Sequence, residues 1–175
     1  MSKNILLIAT LFVVGCATQP SNKAHLSKAY LTKAYLTNAH MMRGHLTSGQ
    51  ILKIKTTAYT QSEKGGGRNA IGRRLSKNSE KSASADWAQF PLGTKFQIVG
   101  SNDIYRVDDY GSALIRKQTI DLYKPSRISM RNWGVRYVDI KILEWGSPQM
   151  SLQVLLPRSR NPHVRTMISD LREQI

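Results

Sequence analysis

The chain has 175 residues, with 26 Lys and Arg against 11 Asp and Glu, so its formal net charge is +15. This length fits one domain with short appendages, and the single cysteine excludes an internal disulfide framework. The positive charge predicts long-range attraction to an anionic partner. Nucleic acid, an anionic membrane and an acidic wall polymer all meet that description.

The N-terminus has the pattern of an export signal. Lys3 precedes an apolar run from Ile5 to Gly15, which ends at the lone Cys16. The run is shorter than the about 20 residues that cross a bilayer as a helix, but it has the length of a signal-peptide core. The motif VVGC resembles a bacterial lipobox. Residues 1–15 are therefore predicted to be a lipoprotein signal peptide, with Cys16 as the lipidated first residue.

The predicted lipid anchor also limits where in the cell the protein is expected and which anionic partners it can meet. By resemblance to lipoproteins of Gram-negative bacteria, Ala17 after the cysteine favours the outer membrane, facing the periplasm. An exported protein held by a lipid anchor contacts the membrane through Cys16. We therefore expect an anionic wall polymer, and no nucleic acid, as the partner of the domain.

Residues 16–50 are predicted to be a basic, repetitive tether. The pattern KAHLS-KAYLT-KAYLT-NAHMM-RGHLT covers residues 23–47. On a helix with 3.6 residues per turn its leucines rotate around the axis and form no apolar face, and a solenoid needs more coils than this segment supplies. No metal site is predicted, because no two of its histidines are i, i+3 or i, i+4 neighbours on a helix and no Cys or acid joins them: His25, His40 and His45.

From Ile51 the pattern changes to short strands. LKIKTTAYT alternates apolar and polar residues, which predicts a half-buried strand, and KFQIVG, DIYRVDD, TIDLY and RYVDIKIL indicate four more. Residues 61–84 are rich in Gly, Ser, Lys and Arg and are predicted to be a surface loop. KPSRISMRNWG predicts a short helix. Short strands at close spacing with one small helix predict a compact β-barrel over residues 51–146.

Residues 147–175 are predicted to be a C-terminal extension with an amphipathic helix. Asn161 and Pro162 fit the N-cap and first helical position. Apolar residues then follow the i, i+3, i+4, i+7 rule: Val164, Met167, Ile168 and Leu171. Docking on the barrel is the favoured role for this helix, and binding a partner is the alternative.

Three aspartates stand in VDDYGSALIRKQTIDLY, between Val107 and Tyr123, where apolar residues dominate. Alternation places Asp109 on the face of Tyr105 and Val107, and Asp108 on the opposite face. A carboxylate among apolar neighbours loses hydration, so its pKa rises, and a second carboxylate nearby raises it further. Such a group can donate a proton near neutral pH. The alternative is ordinary turn chemistry in Asp-Tyr-Gly-Ser with a solvated Asp108.

Five motifs occur in the order and approximate spacing of the three-aspartate (3D) domain: TTAYT at 56–60, SADWAQFPLGT at 84–94, VDDYGSALI at 107–115, TIDLY at 119–123 and NWGVRYVDIKIL at 132–143. The chain thus resembles that family, which is related to the C-terminal barrel of membrane-bound lytic transglycosylase A. The resemblance implies a mainly β fold, a six-stranded double-psi β-barrel with one short inserted helix. The chain departs from the family pattern at Trp87, Tyr110 and Ser112.

The resemblance implies cleavage of the MurNAc–GlcNAc bond of peptidoglycan by a lytic transglycosylase, a lyase that uses no metal and no cofactor. The name-giving aspartates match Asp86, Asp109 and Asp121. Asp121 is given the acid–base role: it protonates the glycosidic oxygen and then takes the proton of the MurNAc 6-hydroxyl, which closes a 1,6-anhydro ring. Asp109 is expected to tune its pKa, and Asp86 to support the site.

Six residues are expected to contact the substrate: Tyr59, Arg106, Tyr110, Gly111, Arg116 and Tyr123. Tyr59 and Tyr123 would pack against sugar rings, and the two arginines would meet lactyl or peptide carboxylates. The main alternative is a non-catalytic peptidoglycan-binding barrel lipoprotein, because a fold does not fix a function. A hydrolase of another polysaccharide is the third possibility.

Overall fold

The computed structural model describes residues 48–62 and 67–175. The predicted signal peptide, the lipidation site Cys16 and the tether up to residue 47 lie outside the described residues. Six strands and three helices follow in chain order: β1 (Ile51–Tyr59), β2 (Glu80–Ser84), β3 (Lys95–Ile98), β4 (Ile104–Asp109), β5 (Thr119–Tyr123), α1 (Arg127–Trp133), β6 (Arg136–Glu144), α2 (Pro148–Leu155) and α3 (Pro162–Arg172).

The strands form a closed barrel in the order β1-β5-β2-β4-β3-β6. The β1–β5 and β2–β4 pairs are parallel, and the other four pairs are antiparallel. Closure leaves no strand edge unpaired. The prediction of a mainly β fold built on a six-stranded barrel with one short helix, α1, before its last strand is confirmed. The double-psi connection stays an expectation.

The core sits inside this barrel and continues under the C-terminal helices. Period-two alternation correctly predicted the inward residues of β1 and β6, where Leu52, Ile54, Ile140 and Ile142 are buried. Large aromatic side chains fill the remaining interior: Trp87, Phe90, Phe96 and Tyr105. The barrel interior is therefore packed with side chains.

The prediction of one loop over residues 61–84 is wrong at its C-terminal end. Glu80–Ser84 is strand β2, which lies between β5 and β4 in the barrel. Its sequence, EKSAS, has no apolar alternation, because Ser82, Ala83 and Ser84 are all buried and small. Small side chains give no periodic signal, so tertiary packing alone defines this strand.

The C-terminal extension packs against the barrel. Helix α3 begins at Pro162 after Asn161, and its four predicted apolar residues are buried: Val164, Met167, Ile168 and Leu171. They join the same core cluster as the barrel residues, so the docked arrangement is the observed one. Helix α2 was not predicted, although Ser147 and Pro148 form a normal helix start, in which the Ser147 hydroxyl accepts from the Met150 N–H.

A close backbone contact joins the barrel to this extension. A Cβ on Gly146 would lie 2.3 Å from the Pro91 carbonyl oxygen, so only glycine fits there without a shift of the backbone. The Gly146 N–H donates to the Thr94 hydroxyl at 3.0 Å. Within the described part of the chain, no helix combines the length and the apolarity needed to span a membrane.

Candidate functional site

Two of the predicted aspartates meet on either side of one residue of β2. Ser84 is the register partner of Asp109 on β4 and of Asp121 on β5. Register partners project from the same side of a sheet, and adjacent strands lie about 4.8 Å apart. The backbones of the two aspartates are thus about 10 Å apart, two strand spacings. The barrel order brings together residues that the chain keeps well separated.

Asp121 is oriented from the neighbouring strand. Its Oδ1 accepts a hydrogen bond from the Thr57 hydroxyl at 2.7 Å, and Thr57 is its register partner on β1. Ile120 and Leu122, on either side of it in β5, point into the core and are fully buried. Asp121 therefore projects from the outer surface of the barrel, where it is half-buried.

Asp109 is the carboxyl group whose surroundings best suit it to hold a proton. The pKa of Asp109 is raised from 3.8 to about 6, mainly by burial and to a smaller extent by the charge of Asp108. The Tyr110 N–H, which donates to Asp109 Oδ1 at 2.9 Å, and the Arg158 charge act in the opposite direction. Desolvation outweighs them, so a substantial fraction of Asp109 is protonated near pH 6.

The alternative in which Asp108 is solvated is not the observed arrangement. Its side chain is 6% exposed. The β2–β4 register shifts between Ala83 and Ser84, so the alternation that placed Asp108 outside breaks at this point. Asp108 Oδ2 accepts from the Ser82 hydroxyl at 2.7 Å and from Asn69 Nδ2 at 2.8 Å. Burial nevertheless raises the pKa of Asp108.

The Tyr59 hydroxyl lies among these carboxylates. It is buried and has no hydrogen-bond partner within residues 48–62 and 67–175. Burial raises the pKa of Tyr59 strongly, and the charges of Asp109, Asp108 and Asp121 raise it further. All three carboxylates therefore lie close enough to this hydroxyl to act on its charge. The neutral hydroxyl is a donor that a bound ligand or a carboxylate can use.

Tyr123 extends the site along β5. Its ring centroid lies 5.7 Å from that of Tyr59, and its hydroxyl donates to Gln61 Oε1 at 2.8 Å. Tyr123 follows Asp121 by two residues, so both side chains project from the same face of the strand. The two tyrosines predicted to contact sugar rings thus lie next to the carboxylates.

Asp86, the third name-giving aspartate, is held away from solvent. It is 1% exposed, and its two oxygens accept from the backbone N–H groups of Ala88 and Arg116 at 2.9 and 2.7 Å. Arg116 has a φ of 57°, which is uncommon outside glycine. Asp86 therefore fixes the loop between β4 and β5, a supporting position.

The two arginines expected to meet substrate carboxylates are paired within the chain. Arg106 donates through Nε and Nη2 to Glu80 Oε2. Arg116 donates through Nε and Nη2 to Asp170, which is fully buried on α3, at 2.9 and 2.7 Å. Both arginines therefore already hold a carboxylate of the protein.

The C-terminal extension reaches the loop after Asp109, a contact that no pattern in the sequence predicts. Tyr110 packs edge-on against Trp87, with ring centroids 5.0 Å apart, and lies beside His163. Arg158 donates to the Tyr110 hydroxyl at 3.3 Å and to the Ala70 carbonyl at 2.7 Å. Gly111 lies over Ser84, whose hydroxyl would be 3.8 Å from an added Cβ.

In the described ranges, no group of three or more His, Cys, Asp or Glu side chains is arranged to hold a metal ion. What the site offers instead is paired carboxyl groups, one with a raised pKa, and a neutral phenol. This set can donate and accept protons and can stabilise positive charge.

No model of a known protein family matches the chain. Two curated proteins of Bacillus subtilis (strain 168) are similar to it. The cell wall-binding protein YocH is 35% identical over 94 residues, which are 53% of this chain and 32% of YocH. The putative cell wall shaping protein YabE is 36% identical over 97 residues, which are 54% of this chain and 23% of YabE. The chain is similar to the cell-wall proteins over about half its own length and a third or less of theirs.

Proposed function

We propose that this protein binds peptidoglycan and cleaves its glycan strands as a lytic transglycosylase. The observation that carries the proposal is the convergence of Asp109 and Asp121 on either side of Ser84, with burial raising the pKa of Asp109 to about 6. The names of the two relatives, one cell wall-binding and one cell wall shaping, support the same polymer. The net charge of +15 suits an anionic substrate.

The sequence hypothesis gave both proton transfers to Asp121, and the surroundings of Asp109 favour dividing them. Asp109, protonated, donates its proton to the glycosidic oxygen as the bond to the MurNAc anomeric carbon breaks. Asp121, oriented by Thr57, accepts the proton of the MurNAc 6-hydroxyl. That oxygen bonds to the anomeric carbon and closes the 1,6-anhydro ring. Exchange of protons with solvent then restores both groups, and no water enters the product.

Digestion of purified sacculi, followed by mass analysis of the released fragments, tests this proposal. The wild-type protein is expected to release 1,6-anhydro muropeptides, and both Asp109→Asn and Asp121→Asn to lose that release. Asp139→Asn, which removes an exposed carboxylate on β6, is the matched control and is expected to retain it. Products with an ordinary reducing end would identify a hydrolase instead.

The second candidate is a non-catalytic wall-binding barrel, which the printed name of YocH favours. It predicts that the protein sediments with sacculi while no fragment is released, and that the Asp-to-Asn variants bind as the wild type does. The same digestion experiment therefore separates the two functions.

We also propose that the protein acts outside the cytoplasm, anchored by acyl chains on Cys16 to the outer membrane. The lipobox-like VVGC and the similarity to cell-wall proteins support this location. Cys16→Ala is expected to move the protein out of the membrane fraction and to remove the acyl mass. Retention in the membrane with an unchanged mass would contradict the anchor.

A further inference from the structure

A cavity with basic walls lies beside the carboxylates, on the side of Tyr123. Its volume is about 760 Å³, and it runs between β5 and the loop over residues 67–78. The charged side chains among its described lining residues are all cationic: Arg68, Arg74 and Lys77. Tyr123 forms part of its wall and stands two residues from Asp121, about 7 Å along the strand.

Internal hydrogen bonds hold the loop that carries these cations in a defined conformation. Asn69 Oδ1 accepts from the backbone N–H groups of Ile71 and Arg73 at 3.2 and 2.9 Å, and the Leu75 N–H donates to the Gly67 carbonyl at 2.9 Å. These bonds close a tight turn.

Asp108 fixes this turn to the barrel. Asn69 is 7% exposed, and its Nδ2 donates to the buried Asp108 Oδ2 at 2.8 Å. Because Asp108 adjoins Asp109 on β4, the position of the turn is tied to that of the proton donor. The buried Asp108–Asn69 pair thus links the cationic turn to the strand that carries Asp109.

Arg74 and Lys77 are available for an outside anion. Both are exposed, and neither enters an ion pair with a residue in the described ranges. Arg106 and Arg116, by contrast, are held by Glu80 and Asp170. A guanidinium and an ammonium beside one cavity attract carboxylates, and guanidinium binds them in bidentate geometry.

We infer that this cavity is a subsite for the carboxylates of the peptide that branches from the glycan strand, with Arg74 and Lys77 as its anion-binding residues. The inference rests on the proposed function, since it takes the sugar to lie across Asp109 and Asp121. Where MurNAc carries a peptide, its lactyl carboxyl is in amide linkage, so the free carboxylates of such a strand lie in the peptide. A strand bound at the aspartates places that branch beside β5, where the cations are. The protein then prefers peptide-bearing strands to bare ones.

Calorimetric titration of the full-length protein with two soluble probes tests the subsite. The probes are a GlcNAc–MurNAc disaccharide that carries its tetrapeptide and the same disaccharide with its lactyl carboxyl capped as a simple amide, which has no charge. Arg74→Gln with Lys77→Gln is expected to weaken binding of the first probe about 10-fold, since each exposed ion pair contributes modestly. Binding of the second probe should stay within about 2-fold. The control, Lys53→Gln with Lys141→Gln, removes two exposed cations of β1 and β6 and should change neither.

A second variant separates geometry from charge. Asn69→Ala leaves every charge in place but frees the turn, and we expect it to weaken the peptide-bearing probe selectively as well. Equal losses for both probes, or no loss for either, would overturn the subsite while the proposed function stands. If neither probe binds the wild type, the proposed function fails with it. The wild type could instead bind poly(glycerol phosphate) more tightly than the peptide probe and lose that binding in Arg74→Gln with Lys77→Gln. This result would assign the cavity to a phosphate polymer and overturn the inference.

Discussion

Two groups of buried aspartates in this protein differ in how their charge is balanced. On the side of the C-terminal extension, Asp170 receives two bonds from Arg116, and Asp86 receives two backbone N–H groups. On the β2–β4 side, Asp108 and Asp109 form no ion pair with a residue in the described ranges, and burial raises the pKa of both.

The difference teaches that burial of a carboxylate does not by itself mark a reactive group. Asp170 is the more deeply buried, yet it is paired with Arg116, and this ion pair ties α3 to the barrel. Asp109 is more accessible but poorly compensated, so its proton affinity increases. We therefore interpret the first group as a structural anchor and the second as the candidate reactive site.

The largest effect is expected from the reactive group. Asp109→Asn should reduce the rate of fragment release from sacculi at least about 1000-fold, since general acid–base catalysis contributes 10²- to 10⁴-fold. Its free energy of unfolding at pH 7 should equal or exceed that of the wild type, because a poorly compensated charge is removed. Turbidity loss of sacculi and chemical denaturation measure the two quantities. A lower free energy of unfolding for Asp109→Asn would instead indicate that Asp109 is a structural anchor, like Asp86 and Asp170.

Asp170→Asn should show the opposite behaviour. It leaves Arg116 without its carboxylate and should lower the free energy of unfolding by about 3 kcal/mol, near the lower end for a broken buried pair because Arg116 is partly solvated. Urea denaturation measures the loss. Replacing both partners, as in Arg116→Met with Asp170→Leu, removes the uncompensated charge and should recover most of it. No recovery would mean that the pair itself, not the isolated charge, determines stability.

The pH dependence of stability should also separate the groups. The pKa of Asp109 is about 6 in the folded protein against 3.8 as its unperturbed value, so the folded state binds more protons between these values. Stability from this group is therefore fully present below about pH 4 and lost as pH rises to about 6. The difference in the free energy of unfolding between wild type and Asp109→Asn should change across that window, measured by denaturation from pH 3.5 to 7. A constant difference would contradict the raised pKa.

The smallest effect is expected at Tyr59. Tyr59→Phe removes a buried hydroxyl that has no partner in the described residues, so stability should rise by about 1 kcal/mol. If that hydroxyl contacts the substrate or a carboxylate during the reaction, the cleavage rate should also fall about 10-fold. Tyr123→Phe, whose hydroxyl donates to Gln61, is the control and should not gain stability. Thermal melts and initial rates on sacculi supply both readings.

The sequence predicted the parts of this molecule that alternation describes. Strands β1 and β6 carry long period-two patterns, and the amphipathic pattern of α3 identified its buried residues. Strand β2 was not predicted, because its buried residues are small. Asp108 was assigned to the wrong face, because a register shift interrupts alternation on β4. Both errors come from pairing between strands, which is a property of the folded barrel.

The candidate site shows the same division. The resemblance supplied Asp109 and Asp121, and the barrel order brings them to Ser84. It also supplied Arg106 and Arg116 as substrate contacts, but their carboxylate partners, Glu80 and Asp170, lie far away in the chain. A salt bridge between distant segments leaves no local pattern. For the same reason nothing in the sequence indicated that Arg158 reaches the Asp109 loop.

The most direct test of this account is the pKa of Asp109 itself. A titration of the side-chain carboxyl carbons of the full-length protein by carbon-detected NMR, assigned with Asp109→Asn, reads it without any substrate. We expect a midpoint at about pH 6 for Asp109. A midpoint near its unperturbed value of 3.8 would show a hydrated, fully ionised carboxylate at neutral pH and would contradict its proposed role as the proton donor.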